Sequence, residues 1–314
     1  MDINDLKIDL VYLWCDGNDS VWQKRKEKTQ QAFEHNIEKK AIQKCRFVQS
    51  NELLYSLRSV ENYAPWINKI FIVTDNQVPK WLNINHPKIK IIDHKEIMPP
   101  EVLPCFNSEA LETRLPFIKD LSEYFLYAND DIIFWNTVEK SFFFNRKKQP
   151  ICRLGSKIKN KTYINPYGKQ IVYTYNLAKE KYNNLNTPYF PHHNVDAYRK
   201  SYFLDCIKNF QKEYDVTTAQ PFRKACSVQR IIVQYYMLAN NLAELKLIKK
   251  PWYNPFKQPE SQYIKCKIRR LKHIKNSTCK LLCINDSEKT TDKDRTFMQK
   301  ILEEKFPQKS QFEL

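Results

Sequence analysis

Glycine is nearly missing from this 314-residue sequence, which carries it only at positions 17, 155 and 168. Dinucleotide fingerprints and P-loops cradle phosphate on backbone N–H groups, and they need closely spaced glycines because a side chain blocks that approach. Neither can be built here, so any phosphate must be held by side chains or a metal ion. Long apolar runs are missing as well. No stretch of about 18 uninterrupted apolar residues occurs, and MDINDLKIDL lacks the basic-then-apolar pattern of a signal peptide; a cytoplasmic protein is expected. The nine cysteines include no C-x-x-C, the nearest two being Cys279 and Cys283, which favours reduced, mostly buried thiols over disulfides or a zinc site. Internal repeats and low-complexity segments are also lacking.

What is present is enough for a sizeable core: 42% of residues are apolar and 13% aromatic, fitting one large domain or two intimately packed ones. Fifty-two Lys and Arg against 35 Asp and Glu leave a net charge of +17, concentrated at KRKEK (24–28), RKK (146–148) and KCKIRRLKHIK (265–275). No nucleic-acid module accompanies this charge. It reads as solvated faces or as contact with polyanions, nucleotide substrates or an anionic membrane surface, with 265–275 the candidate for peripheral membrane contact or for lying along an anionic polymer, and no nucleic-acid partner expected.

Short β-branched and aromatic runs predict strands at 8–14, 67–74, 88–93, 123–128 and 280–284. Helical spacing of Leu53, Leu54, Leu57 and Val60 predicts a helix capped by Asn51 and stopped before Pro65. Further helices are expected to about residue 44, from Asn107 or Ser108 through EALETRLPFI, at 198–212, at 223–241 and at 292–305. Strands alternating with helices argue for an α/β fold, a Rossmann-like or GT-A-like, mainly parallel sheet flanked by helices, with ligands beyond the strands' carboxyl ends. Residues 1–140 read as the α/β core, 141–190 as an insertion or β subdomain, and 191–314 as a helical part that returns to the core and completes the site.

Three acidic turns follow predicted strands: Asp16-Gly17-Asn18-Asp19, Asn129-Asp130-Asp131 and Asn285-Asp286. Adjacent carboxylates in one cleft repel unless a cation compensates, and hard oxygen donors favour Mg²⁺ or Mn²⁺. Asp130 and Asp131, helped by Asn285 or Asp286, are therefore the candidate metal ligands. His192 and His193 could take a proton from an attacking hydroxyl, and Arg58, Arg114 and Arg223 carry guanidinium forks that match phosphate oxygens. Tyr12, Trp14 and Asp16, at a strand end, are candidate ligand-binding residues.

The order of these segments closely resembles the Stealth family of bacterial capsular polysaccharide phosphotransferases, itself similar to the catalytic subunit of the animal lysosomal-enzyme GlcNAc-1-phosphotransferase. IDLVYLWCDGND (8–19) resembles its first region, and SNELLYSLRSVENYAPWINKIFIVTDNQVPKWL (50–82) with 93–131 its second. HHNVDAYRKS with PFRKACSVQ resembles the third, and LLCINDSE with FPQKSQFE the fourth. The resemblance implies transfer of a sugar 1-phosphate from a UDP-sugar, UDP-GlcNAc or a related N-acetylhexosamine, to an acceptor hydroxyl on a glycan, releasing UMP. It implies that Glu112, Asp131, His193 or His192, and Arg223 are essential, and that Asp16, Asn51, Glu52 and Arg58 belong to the binding motifs. Two departures stand out: Cys15, where relatives usually carry Val, and the His-His doublet. A metal-dependent glycosyltransferase releasing UDP and a non-catalytic polyanion-binding protein are the competing expectations. The resemblance also implies a setting at the cytosolic face of a bacterial inner membrane.

Overall fold

A computed structural model of the chain describes residues 2–158, 166–185, 189–192, 195–248, 260–274 and 277–314. Its centre is a five-stranded sheet built from β1 (Ile8–Leu13), β2 (Ile70–Thr74), β3 (Ile89–Asp93), β4 (Tyr124–Asn129) and β8 (Asp196–Arg199) in the order β3-β2-β1-β4-β8. The first four run parallel, and β8 pairs antiparallel with β4. This is the mainly parallel α/β sheet read from the sequence. β1 is apolar but for Asp9, whose buried carboxylate accepts from Asn68 Nδ2 and the Lys69 and Ser122 N–H groups, because both faces of the strand are covered. Val11, Phe71, Val73, Phe125 and Tyr127 face one core, shared with α4 (Ser108–Glu112), α6 (Lys200–Asn209) and α8 (Ile231–Ala239). Leu10, Tyr12, Ile70, Ile72 and Leu126 face the other, closed by Leu53, Leu57 and Val60 of α2 (Glu52–Tyr63).

Two smaller sheets flank the centre. β5 (Ile132–Phe134) pairs antiparallel with β11 (Leu281–Asn285), which pairs parallel with β10 (Ser261–Lys265). Their apolar side chains pack with Met298, Ile301 and Leu302 of α10 (Asp292–Lys305). The stretch 141–190 contributes β6 (Ile151–Lys157), α5 (Pro166–Lys181) and most of β7 (Tyr189–Pro191); β6 lies between β7 and β9 (Glu244–Leu247). The remaining helices are α1 (Ser20–Ala32), α3 (His94–Ile97), α7 (Gln211–Thr218) and α9 (Ile268–Leu271). Among the described residues no helix is long and apolar enough to cross a membrane. All nine cysteines are free and six are buried.

Several helices are shorter than the sequence predicts. The charged helix expected to residue 44 ends at Ala32 and gives way to short 3-10 turns. The helix from Ser108 stops at Glu112, because Pro116 has no N–H for the Glu112 carbonyl and its ring obstructs another turn. Residues 223–230 are not helical; Thr217 Oγ1 and Thr174 Oγ1 take the Val228 and Gln229 N–H groups, leaving α8 to begin at Ile231. The stretch 198–212 divides between β8, α6 and α7. Asn51 does not cap α2 through its side chain: it sits in the left-handed region at φ 61°, and Glu52 accepts the Ser50 N–H instead.

Candidate functional site

A cavity of about 520 Å³ opens beyond the carboxyl ends of the parallel strands. One wall is the strand ends themselves, Leu13-Trp14-Cys15, Val73 and Asn129-Asp130-Asp131. Another is the irregular segment 40–49, held close to the β1 loop at Gly17, where a Cβ would lie 2.0 Å from the Phe47 carbonyl oxygen. That approach is closed to any other residue.

Acidic groups gather on one side. Asp130 accepts from Gln49 Nε2 at 3.2 Å, and Gln49 in turn accepts from Trp14 Nε1 at 3.0 Å. Burial and the neighbouring Asp131 push the Asp130 carboxyl up to about 6. Asp131 is raised mainly by burial; its Oδ2 receives Cys283 Sγ at 3.4 Å and Asn285 Nδ2 at 3.5 Å, while its buried Oδ1 has no partner. Glu52, also on the wall, is pushed up to about 8 by burial and by Asp130. Three carboxyl groups thus resist ionisation where they converge, an arrangement a cation would relieve.

Basic groups face the same space. Arg223 Nε lies 3.7 Å from Glu109 Oε1 and its Nη2 donates to Ser108 Oγ at the start of α4. Arg46 donates to the Lys40 carbonyl and, among the described residues, has no carboxylate within ion-pair distance. Burial and the nearby Arg223 hold the Arg46 guanidinium down to about 10. Two guanidinium groups on the wall of one cavity make a receptor for an anion.

Glu112 stands behind the wall. Tyr127, which lines the cavity, donates to Glu112 Oε1 at 3.1 Å or to Asn129 Oδ1 at 3.0 Å, and Glu112 Oε2 is buried without a partner. Arg230 approaches Glu112 at 3.5 Å and binds Asp196 at 2.6 Å, its guanidinium 5.4 Å from the Tyr127 ring centre.

Of the residues singled out from sequence, Trp14, Glu52, Asp130, Asp131, Arg223, Asn285 and Asp286 line this cavity. Two of them are poor metal ligands as placed. Asn285 turns its NH₂ to Asp131 and its oxygen to Tyr263, and Asp286 is neutralised by Arg295 at 2.9 Å and capped by the Ser287 N–H. Asp130 and Asp131 are left with the charge and open lone pairs that a hard cation needs; among the described residues no three His, Cys, Asp or Glu side chains form a fuller cluster.

Others are drawn away from the cavity. Tyr12 is buried against Ser56, 2.7 Å from its hydroxyl; Arg58 grips Glu313 and the Phe306 carbonyl; Arg114 binds the Ile97 carbonyl and lies 3.7 Å from the Phe117 ring centre. Asn51 is exposed on its turn, and Asp16 accepts the Asn18 N–H in the β1 loop. His192 is buried beside Ser261 Oγ at 3.0 Å, with burial and Arg153 holding its imidazole down to about 4. Ser261 begins β10 opposite Leu281, whereas the Asp131 neighbour Asn285 ends β11. Four residues of strand, roughly 13 Å, therefore separate the His192 contact from the acidic pair. His193 lies outside the described residues. Sequence reasoning missed Arg46, Gln49, His94, Tyr127 and Arg230, because none stands in an acidic turn or a periodic helix face.

Comparison with known proteins supplies the remaining findings. A family model described as Stealth protein CR2, conserved region 2, matches residues 46–152. A capsular polysaccharide phosphotransferase of Streptococcus pneumoniae, WcwK, is 30% identical over 98% of this chain and 98% of its own. A capsular polysaccharide phosphotransferase of Haemophilus influenzae is 35% identical over 69% of this chain, which spans 61% of that relative. An exopolysaccharide phosphotransferase of Streptomyces coelicolor is 44% identical over 44% of this chain, and only 23% of that longer protein is covered. Among solved structures, the galactosyltransferase LgtC in complex with donor and acceptor sugar analogues aligns over 95% of both chains at 10% identity and a TM-score of 0.43, a likeness too loose to bear on chemistry.

Proposed function

The chain belongs to the Stealth protein family, and from that premise we propose that it transfers a sugar 1-phosphate from a UDP-sugar to a glycan hydroxyl during capsular polysaccharide synthesis, releasing UMP. The observation that carries this reading is the meeting of Asp130 and Asp131 with Arg46 and Arg223 on one cavity. A diphosphate needs both kinds of group: a cation bridging its oxygens, and guanidinium forks on the charge that grows during transfer.

Asp130 and Asp131 fit Mg²⁺ or Mn²⁺ in this reading, since Mg²⁺ commonly takes one or two carboxylates and completes its shell with water and phosphate oxygens. Such an ion would neutralise diphosphate charge and polarise the phosphorus under attack. Arg223 and Arg46 hold the phosphate oxygens. The acceptor oxygen forms a bond to the sugar-side phosphorus, the bond from that phosphorus to the bridging oxygen breaks, and the bridging oxygen leaves with UMP. The acceptor's proton passes to Tyr127, whose own proton moves to Glu112 along the 3.1 Å hydrogen bond. The bond from sugar C1 to oxygen is never broken, so the anomeric configuration is retained.

The basic segment 265–274 is the proposed peripheral contact with anionic lipid. Lys267 is drawn off to Asp294 at 2.7 Å, so the exposed Arg269 and Lys272 carry that contact. Vesicle co-sedimentation unchanged by replacing both would remove it.

The deciding experiment incubates the protein with a panel of UDP-sugars, Mg²⁺ and a capsule oligosaccharide primer, followed by phosphorus NMR. A new phosphodiester with release of UMP is expected. Release of UDP would instead establish transfer at carbon, and salt-sensitive binding with no turnover would leave only a polyanion-binding protein.

A further inference from the structure

The cavity crosses four strand ends. β4 delivers Asp130 and Asp131, β1 leads to Trp14 and Cys15, β2 contributes Val73, and His94 stands one residue beyond β3. The sheet order places β4, β1, β2 and β3 side by side. Neighbouring strands lie about 4.8 Å apart, so three spacings put roughly 14 Å between the acidic end and the His94 end. A ribose and a diphosphate have room between them.

The His94 end has a different character. Leu13 lies opposite Val73 in the β1–β2 register, and Val73 opposite Ile92, two residues before His94. Cys105, Phe106 and Leu111 complete an apolar wall. His94 itself is only 5% exposed, yet its Nδ1 has no hydrogen-bond partner. Burial holds its imidazole down to about 4 against the opposing pull of Asp93. At neutral pH the ring therefore carries one N–H donor and one acceptor, and the tautomer is free to suit whatever faces it. A largely apolar recess with a neutral donor–acceptor group on its wall suits a planar heterocycle whose edge alternates donors and acceptors. It does not suit a phosphate or a free sugar.

We propose that His94 is a specificity-determining residue that reads the uracil edge of the donor nucleotide, whose ribose crosses the ends of β2 and β1 and whose diphosphate reaches the arginine and aspartate groups. The assignment rests on the nucleotide-sugar reading of the cavity and adds which end takes the base. Uracil offers an N–H between two carbonyl oxygens, so either tautomer of His94 finds a complement on it.

Isothermal titration of the full chain in Mg²⁺ tests this with two probes, UDP and inorganic pyrophosphate, the second having no base. His94→Phe is expected to weaken UDP about tenfold or more, the worth of one or two buried hydrogen bonds, and to leave pyrophosphate within about twofold. His94→Gln, which restores a donor and an acceptor, is expected to recover much of the UDP affinity. Equal weakening of both probes, or unchanged UDP binding by His94→Phe, overturns the assignment; thermal melts of each variant expose a folding fault. Failure of the unaltered protein to bind any uridine nucleotide would overturn the donor reading as well. UDP binding and turnover that ignore His94 would overturn the base assignment alone.

Discussion

Arg230 and Glu112, 118 residues apart in the chain, meet at 3.5 Å inside the protein while the same guanidinium holds Asp196 at 2.6 Å. The Arg230 side chain is 12% exposed, and the two carboxylates less still. One buried cation thus serves two buried anions, one from α4 and one from β8.

Removing that cation is expected to be costly. Arg230→Met would leave Asp196 and Glu112 uncompensated, and the loss of one partner from a buried pair is worth about 3–5 kcal/mol. Urea unfolding checks the size. Arg230→Lys, which keeps the charge without the fork, is expected to lose less stability but still to lower turnover, because Glu112 is no longer held against Tyr127.

Asp131 predicts an opposition between stability and activity. Its buried Oδ1 has no partner and its carboxyl is raised by burial. Asp131→Asn should melt at the same temperature as the unaltered protein or higher when no divalent ion is present, since a buried charge is removed. The same variant should lose the rise in melting temperature that Mg²⁺ gives and about a hundredfold or more in turnover. A retained Mg²⁺-induced rise would exclude Asp131 from the ion's ligands.

Arg46 is expected to matter for anion affinity rather than for folding. Arg46→Ala should weaken UDP and pyrophosphate alike by about tenfold to a hundredfold, the worth of a charge-assisted hydrogen bond. Relief of its repulsion with Arg223 should leave stability unchanged or slightly raised. Titration at several salt concentrations checks it, with the gap between variant and parent narrowing as salt rises.

Glu52 sets a pH dependence whose sign follows from burial. Its folded carboxyl is pushed up to about 8, against 4.5 when free. Below about pH 4 both folded and unfolded chains carry the proton and the group is neutral toward folding. Between there and about pH 8 the unfolded chain releases the proton first, so this carboxyl makes the fold progressively less stable as pH rises. Glu52→Gln should flatten that part of the stability profile. Urea midpoints at pH 5 and pH 8 for both proteins, without divalent ions, measure it.

The parallel core and its acidic turns were legible in the sequence for a physical reason. β1, β2 and β4 are short, doubly covered and therefore mostly apolar strands, β3 keeps its isoleucines although it exposes Lys90, and Asn129-Asp130-Asp131 falls where such a run stops. α10 runs over the span read from sequence, and the structure adds a capping box between Thr291 and Asp294 at its start. The segment holding Arg46 was not: it folds as isolated 3-10 turns, which leave no periodic signature and read as more charged helix. Arg58 and Arg114 looked like phosphate ligands because a guanidinium fork matches carboxylates and backbone carbonyls just as well, and Glu313 and Ile97 take them. Nothing local marks a pairing such as Arg230 with Glu112, which only the packing of α8 against the sheet creates.

Asp131 is enclosed by Cys283 and Asn285, and Arg58 is fastened to Glu313. These links join residues 152 to 255 positions apart in the sequence. On the ribosome, then, the acidic pair emerges 152 residues ahead of Cys283, and the nascent chain carries an unfinished pocket until Cys283 and Asn285 follow. Activity should switch on only after residue 313 has cleared the exit tunnel.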